Sequence, residues 1–315
     1  MPRGRVHTVL FWIGVLVLVP VAVGVFARAT GFEAGPLAIL VSLMPWVALA
    51  SVVPLTLAVL SRSWILIAAA GVLAAVAIAW QVPIFVGSGG GETQLVVASV
   101  NMQFGEGDAD AIVALVADQD VDVLSVQELT PEGAQRLADA GLDEALPFSE
   151  VLAEPGVTGT GLWSRLPLSD AQSIDGFFSR EISATIAGPT GDFTMLAVHP
   201  RAPGMRGHGM WEEELALLHD VLADVEGPAI AAGDFNTTRD HEGFRAIESL
   251  GYEDAADQAG TGFAPTFPVN RELFPFVVID HVIERDTGLK AIETRTFAID
   301  GADHKALVVE YGPEP

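Results

Sequence analysis

The sequence predicts an α/β domain, two-layered or sandwiched, carried behind an N-terminal membrane anchor of three helices. Three features of its 315 residues lead there. The first 90 residues hold three long stretches without a charge, and the remainder alternates short apolar runs with amphipathic ones. The polar residues of that remainder gather where the apolar runs end.

The anchor follows from charge and length. Thr8–Ala27, Ala34–Ser61 and Ser63–Gly91 contain 20, 28 and 29 consecutive uncharged residues, each longer than the roughly 18 apolar residues that mark a spanning-helix candidate. Mean hydropathy is +0.41, and the excess lies in these stretches. Residues 1–90 are therefore expected to be a three-span anchor and 91–315 a separate domain. Arg3, Arg5 and Arg62 fall on one side of such spans, and Arg28, with Glu33 nearby, on the other. Basic residues favour the cytoplasmic side, so the expectation is a multi-pass cell-membrane protein whose C-terminal domain is extracytoplasmic. Ala27-Arg28-Ala29 also reads as a weak cleavage triplet; cleavage there would leave that placement unchanged.

The C-terminal part differs sharply in charge. Residues 92–315 hold 12 basic and 40 acidic residues, a net charge of −28. Such a surface repels long nucleic acid and anionic headgroups, although a salt-adapted composition would look the same. The absence of cysteine excludes disulfides and thiol chemistry. "GSGGGE" at 87–92 reads as a flexible tether.

Buried strands are expected in "QLVVASVNM", "VDVLSVQEL", "GTGLWSR", "EISATIAG", "FTMLAVHP", "AIAAGDFN", "FVVIDHVI" and "ALVVEY". Helices are expected in "DADAIVALVADQ", "TPEGAQRLADAG", "GMWEEELALLHDVLADV" and around "HEGFRAIESLG". The second of these carries a Thr cap with Pro at the first helical position. Four strands end on Asn101, on Gln127-Glu128, on His199, and on Asp234 with Asn236. Asp280-His281 lies in a fifth, and Asp303-His304 precedes the last. For these groups to share one rim, the last strand must run against the first four, which requires a mixed sheet. In an extended chain Asp234 and Asn236 point to the same side; the alternative is an Asx-type turn.

Gathered, these residues are carboxylates, carboxamides and imidazoles. Hard oxygen donors suit Mg²⁺, Mn²⁺ or Ca²⁺ better than zinc. Histidine–carboxylate pairs can activate water or donate to phosphoryl oxygens. The chemistry suggested is hydrolysis of a phosphate ester.

In order, "SVNMQ", "SVQEL", "GLWSRLPL", "LAVHPRAP", "GDFN", "VIDHV" and "GADHKAL" resemble the motif series of the endonuclease/exonuclease/phosphatase superfamily, and most closely its bacterial membrane-anchored members. The resemblance runs from about residue 95 to 310. It implies a deoxyribonuclease-I-like, four-layered α/β sandwich with mixed β-sheets, and a hydrolase using Mg²⁺ or Mn²⁺. It implies Glu128 as principal metal ligand, assisted by Asn101 and Asp303. Asp234 and Asn236 match the pair that orients water and phosphate. His304 matches the general base or phosphate-polarising imidazole, Asp280 its carboxylate partner, and His199 a second imidazole on a phosphoryl oxygen. Gln103 stands where the abasic-site nuclease branch carries an acid, and Ala302 where Ser is commoner.

His281, on the face opposite Asp280, is expected to be structural, and His208 and His241 to lie at the surface. Trp163 is expected in the core; Trp211 and Phe267 are groove or core residues. Arg165 and Arg201 are candidate phosphate contacts. The function expected is a metal-dependent phosphoesterase, a phosphodiesterase first, with a phosphate-ester substrate that the anchor suggests is lipid-derived. The alternatives are an extracytoplasmic nuclease and a non-catalytic membrane sensor of a phosphate ligand.

Overall fold

A computed structural model describes residues 3–87, 90–204, 208–269 and 274–314. Ser88 and Gly89 of the expected tether lie outside them. Contacts divide the chain into Met1–Pro83 with Arg239–Glu242, and Ile84–Thr238 with Gly243–Pro315.

The first unit is helical: Arg3–Thr30, Pro36–Ser42, Met44–Ala50, Val52–Ser61 and Trp64–Ala79. Two helices are long and apolar enough to cross a membrane, Gly4–Thr30 and, taken through Ser51, Met44–Ser61. Two of the three expected spans therefore coincide with helices of spanning length, and the third coincides with a shorter apolar helix. The third helix, Trp64–Ala79, has 16 residues, about 24 Å at ~1.5 Å per residue against a hydrocarbon core of ~30 Å. Counting uncharged residues overestimated it because Arg62 and Ser63 start it late and the chain leaves the helix at Trp80, before Gln81 and Pro83. Arg62 adopts a left-handed φ of 58°, and Ser63 Oγ accepts the Leu66 N–H as the cap. Arg28 is not a free loop charge: its Nε lies 2.5 Å from Asp240 Oδ1, and Gln81 Nε2 donates to the same carboxylate. His241, expected at the surface, is buried with Nε2 3.0 Å from Ala38 O.

The second unit holds two six-stranded sheets. The first is built from β1 (Leu95–Asn101), β2 (Val123–Gln127), β3 (Phe148–Leu152), β4 (Thr160–Ser164), β11 (Leu289–Ala298) and β12 (Lys305–Pro313), in the order β11-β12-β1-β2-β4-β3. The second uses β5 (Leu168–Ile174), β6 (Glu181–Gly188), β7 (Gly191–Val198), β8 (Ala229–Asp234), β9 (Glu253–Asp254) and β10 (Asp280–Arg285), in the order β5-β6-β7-β8-β10-β9. Each sheet contains one parallel pair, β1–β2 or β7–β8, and is otherwise antiparallel.

Three apolar clusters create four layers. Inward residues of both sheets, among them Val97, Leu162, Met195, Ile230 and Val309, form the central core. Helices Ala109–Asp118 and Pro131–Asp139 cover the outer face of the first sheet through Ile112, Val116 and Leu137. His208–Asp224 and Glu242–Glu248 cover the second through Leu218, Leu222 and Phe244. A buried polar chain also ties the sheets: Ser99 Oγ donates to Gln127 Oε1, Gln127 Nε2 to Ser125 Oγ, and Ser125 Oγ to Ala232 O across the gap.

His281 is structural, as expected. Its Nδ1 lies 2.6 Å from Asp254 Oδ2 and its Nε2 3.1 Å from Thr237 O. Asp254 also caps helix Ala255–Ala259 by accepting the Ala256 N–H. Burial alone would lower the imidazole pKa, but the Asp254 charge and hydrogen bond, with the Asp280 charge, raise it above its ordinary 6.5. Because the folded value is the higher one, the charged pair contributes fully below about 6.5 and fades as pH rises through the folded value. Asp254→Asn keeps a capping side chain and removes the charge. It should therefore lower the unfolding midpoint more at pH 6 than at pH 9, measured by denaturant titration; a deficit that grows with pH would contradict the pairing.

Candidate active site

The strand directions bring the polar ends together. The parallel pairs β1–β2 and β7–β8 finish at one rim with Asn101, Glu128, His199 and Asp234, while the antiparallel β10 and β12 begin there, with Asp280 and, just before β12, His304. Asp280 faces Asp234 in the β8–β10 register. Gly233 is required for the fit, since a Cβ there would lie 1.8 Å from Val198 O on the neighbouring strand. Beyond Asp234 the chain is no longer extended. Asn236 has a φ of 48°, and its N–H donates to Asp234 Oδ1 at 2.9 Å. The Asx turn is thus the device that presents the pair, and Asn236 Nδ2 is tied to Pro200 O at 2.9 Å.

Asp234 is the centre. It is 1% exposed, and its Oδ2 accepts from Asn101 Nδ2 at 3.1 Å. The same oxygen lies 3.6 Å from both His199 Nε2 and His304 Nε2. Burial pushes its carboxyl above the usual range, with the Asp280 charge adding to burial and the two imidazoles and the Asn236 N–H opposing it.

The imidazoles are driven apart. His304 Nδ1 sits 2.9 Å from Asp280 Oδ2, so both its ring nitrogens face carboxylates. Burial opposes its charge, but Asp280 and Asp234 override it and push the pKa up to about 10. His304 is therefore an imidazolium at neutral pH. His199 is lowered, chiefly by burial and by the His304 charge, against the pull of Asp234; it is neutral. Two titratable groups with opposed protonation states mark an acid–base site.

Glu128 stands beside them, half-buried, at a φ of 54°. Its oxygens accept from Asn101 Nδ2 at 3.3 Å and from the Phe104 N–H at 2.8 Å. Burial raises its pKa, and the neighbouring Asp303 charge raises it further. Two carboxylates crowded in this way fit a hard divalent cation. Asn101 Nδ2 donates to both Glu128 and Asp234, and its Oδ1 accepts the Gln103 N–H, so it aligns the two acids. Asp234, Asp280 and His304 also place ligand atoms within 4.8 Å of one another. Glu128, with the Asp303 charge beside it, is a second place whose oxygen donors fit such a cation.

Several supports were not legible. Thr266 Oγ1 accepts the Ile279 and Asp280 N–H groups at 3.3 and 3.5 Å, and its carbonyl accepts the Lys305 N–H, so one threonine sets the spacing of Asp280 and His304. Phe267 lies on His304 at 4.7 Å between ring centroids. Trp211 is buried and donates to Asn236 O, and Trp163 is in the core as expected. The arginines fare differently. Arg165 ends up at the opposite edge, on Asp122 and Val121 O, because β4 runs antiparallel to β2. Arg201 is bound to Glu214 and lies over Phe178.

Solved structures similar in fold include an endonuclease/exonuclease/phosphatase from Beutenbergia cavernae, with 17% identity, TM-score 0.56, and 70% of this chain and 72% of that chain covered. A humanized D. rerio TDP2 follows at 14% and 0.57, covering 70% and 99%. The 3' phosphatase NExo from Neisseria, bound to a product DNA hairpin, matches at 18% and 0.55, covering 69% and 99%. No curated protein matches the chain. The sequence profile of the Endonuclease/Exonuclease/phosphatase family matches residues 98–304, from β1 through the last catalytic candidate, and the chain belongs to that family.

Proposed function

We propose that the protein is a divalent-metal-dependent phosphoesterase, a phosphodiesterase first, acting at the outer face of a membrane. The observation that carries this reading is the buried Asp234 carboxylate held between a neutral and a charged imidazole. In the reaction, Asp234 takes a proton from the attacking water, which Asn236 helps to orient. The water oxygen forms a bond to phosphorus while the bond to the ester oxygen breaks, and the departing oxygen is protonated from solvent. His304, fixed by Asp280, and His199 bind the phosphoryl oxygens, where charge builds in the transition state. Glu128 and Asp303 would hold Mg²⁺ or Mn²⁺, which supplies further positive charge to the phosphate when bound.

The net charge of −28 on residues 92–315 favours small or lipid-derived diesters over long nucleic acid. The D. rerio and Neisseria proteins are named for structures with single-strand DNA product and a DNA hairpin, which makes a nuclease the second reading. A panel assay of the full chain decides between them, comparing a bis-aryl phosphodiester, a monoester, phospholipid and single- and double-stranded DNA with Mg²⁺ and Mn²⁺. Diester turnover should exceed DNA cleavage, vanish in chelator, return with either ion, and be largely lost in Glu128→Ala. Turnover undiminished in excess chelator would end the metal assignment, faster DNA cleavage would favour the nuclease, and no turnover would favour a sensor.

Outer-face placement depends on the 16-residue helix Trp64–Ala79, which contains no polar side chain. With Arg5 inside, three crossings put the C-terminal domain outside and two leave it inside. Bilayers thin around short spans at modest cost, which supports three. A reporter active only outside the cytoplasm, fused after the last residue, should be active; a silent one would mean that two helices cross.

A further inference from the structure

Glu181 is completely buried at the start of the expected strand "EISATIAG", yet no motif assigns it a role. It is the first residue of β6, whose ladder with β7 runs from Gly188↔Gly191 to Ile182↔Ala197. One rung further the backbone pairing stops. Arg180 sends its N–H away to Thr158 O, and Pro200, with no N–H of its own, cannot carry the ladder past His199. The His199 N–H is taken instead by the Glu181 carboxyl, at 2.6 Å from Oε2. Ser179 Oγ, two residues back, lies 3.4 Å from His199 Nδ1, and Asn236 Nδ2 holds the Pro200 carbonyl from the other side. The other carboxyl oxygen, Oε1, is buried and has no hydrogen-bond partner. Burial pushes the Glu181 carboxyl well above the usual carboxylate range. A buried acceptor without a partner costs stability, so packing alone would favour an apolar residue here.

We propose that Glu181 is the positioning residue for His199: its carboxyl oxygen replaces the last rung of the β6–β7 ladder and fixes the His199 backbone, so that the imidazole reaches Asp234. This rests on the phosphoesterase reading for its kinetic consequence but not for its geometry. Glu181 touches neither Asp234 nor any reacting atom, and acts through the His199 main chain. A displacement of His199 by about 1 Å is enough to cost up to ~10²-fold in rate.

Two variants of similar volume separate positioning from packing. Glu181→Gln retains an acceptor oxygen, whereas Glu181→Met fills the space without one. In the full chain, Glu181→Gln should keep kcat for the bis-aryl diester within about threefold, whereas Glu181→Met should lose about 10- to 10²-fold in kcat with little change in KM. In a His199→Ala background, Glu181→Met should cost nothing more. Histidine-selective NMR provides a readout independent of turnover. The His199 amide proton should lie far downfield in the wild type and in Glu181→Gln, and move upfield in Glu181→Met. Full kcat in a folded Glu181→Met, or loss of kcat in Glu181→Gln, overturns the proposal, and the second result decides even if the Met variant does not fold. If the wild type turns over no phosphoester, the functional reading fails, and the amide shifts still decide the positioning.

Discussion

A single buried carboxylate organises this molecule. Taking an ionised acid out of water is expensive unless the protein supplies donors and opposite charge. Asp234 receives an N–H from Asn236 within its own turn, an amide from Asn101 on the other sheet, and two imidazoles at equal distance. Each of these partners comes from a different strand end. The two sheets must therefore be stacked with their parallel pairs finishing at one rim before the charge can be buried, and the site exists only in the complete sandwich.

That dependence explains the polar features beneath the rim. The chain from Ser99 through Gln127 and Ser125 to Ala232 O fixes one sheet against the other in register, which an apolar contact would not do. Gly233 lets β7 and β8 approach closely enough for His199 to face Asp234. Thr266 fixes the spacing of Asp280 and His304. The opposed protonation states of the two histidines follow from the same geometry: His304 lies between two carboxylates, whereas His199 meets one and feels the charge of His304.

The strands that build the site were legible because they are buried on both faces and read as unbroken apolar runs. Their polar ends were legible for the same reason, as abrupt changes of character. Edge strands such as β3 (FSEVL) and β5 (LSDAQSI) carry half-exposed patterns without an apolar run, and periodicity does not separate them from loops. The charge of His304 was not legible, since it depends on carboxylates 24 and 70 positions away. Glu181 and Thr266 act through backbone groups, which leave no trace in side-chain spacing. Arg165 shows the converse: adjacency to a motif in sequence says nothing once the strand runs the other way. For the helices, uncharged length was a poor measure of helix length because Pro36, Pro45 and Pro83 and the turn at Arg62 punctuate the stretches.

The site depends on the charge of Asp234, and Asp234→Asn removes that charge with the least change of shape. The substitution keeps one oxygen, enough for the Asn236 N–H on Oδ1 but not also for the Asn101 amide on Oδ2, and it removes the base and the charged partner of both imidazoles. Diester turnover by the full chain should fall by roughly 10²–10⁴-fold, the span for a positioned acid–base group, with the unfolding midpoint little changed. Turnover within a few-fold of the wild type, in a variant that is folded, would contradict the assignment of this buried carboxylate as the centre of the reaction.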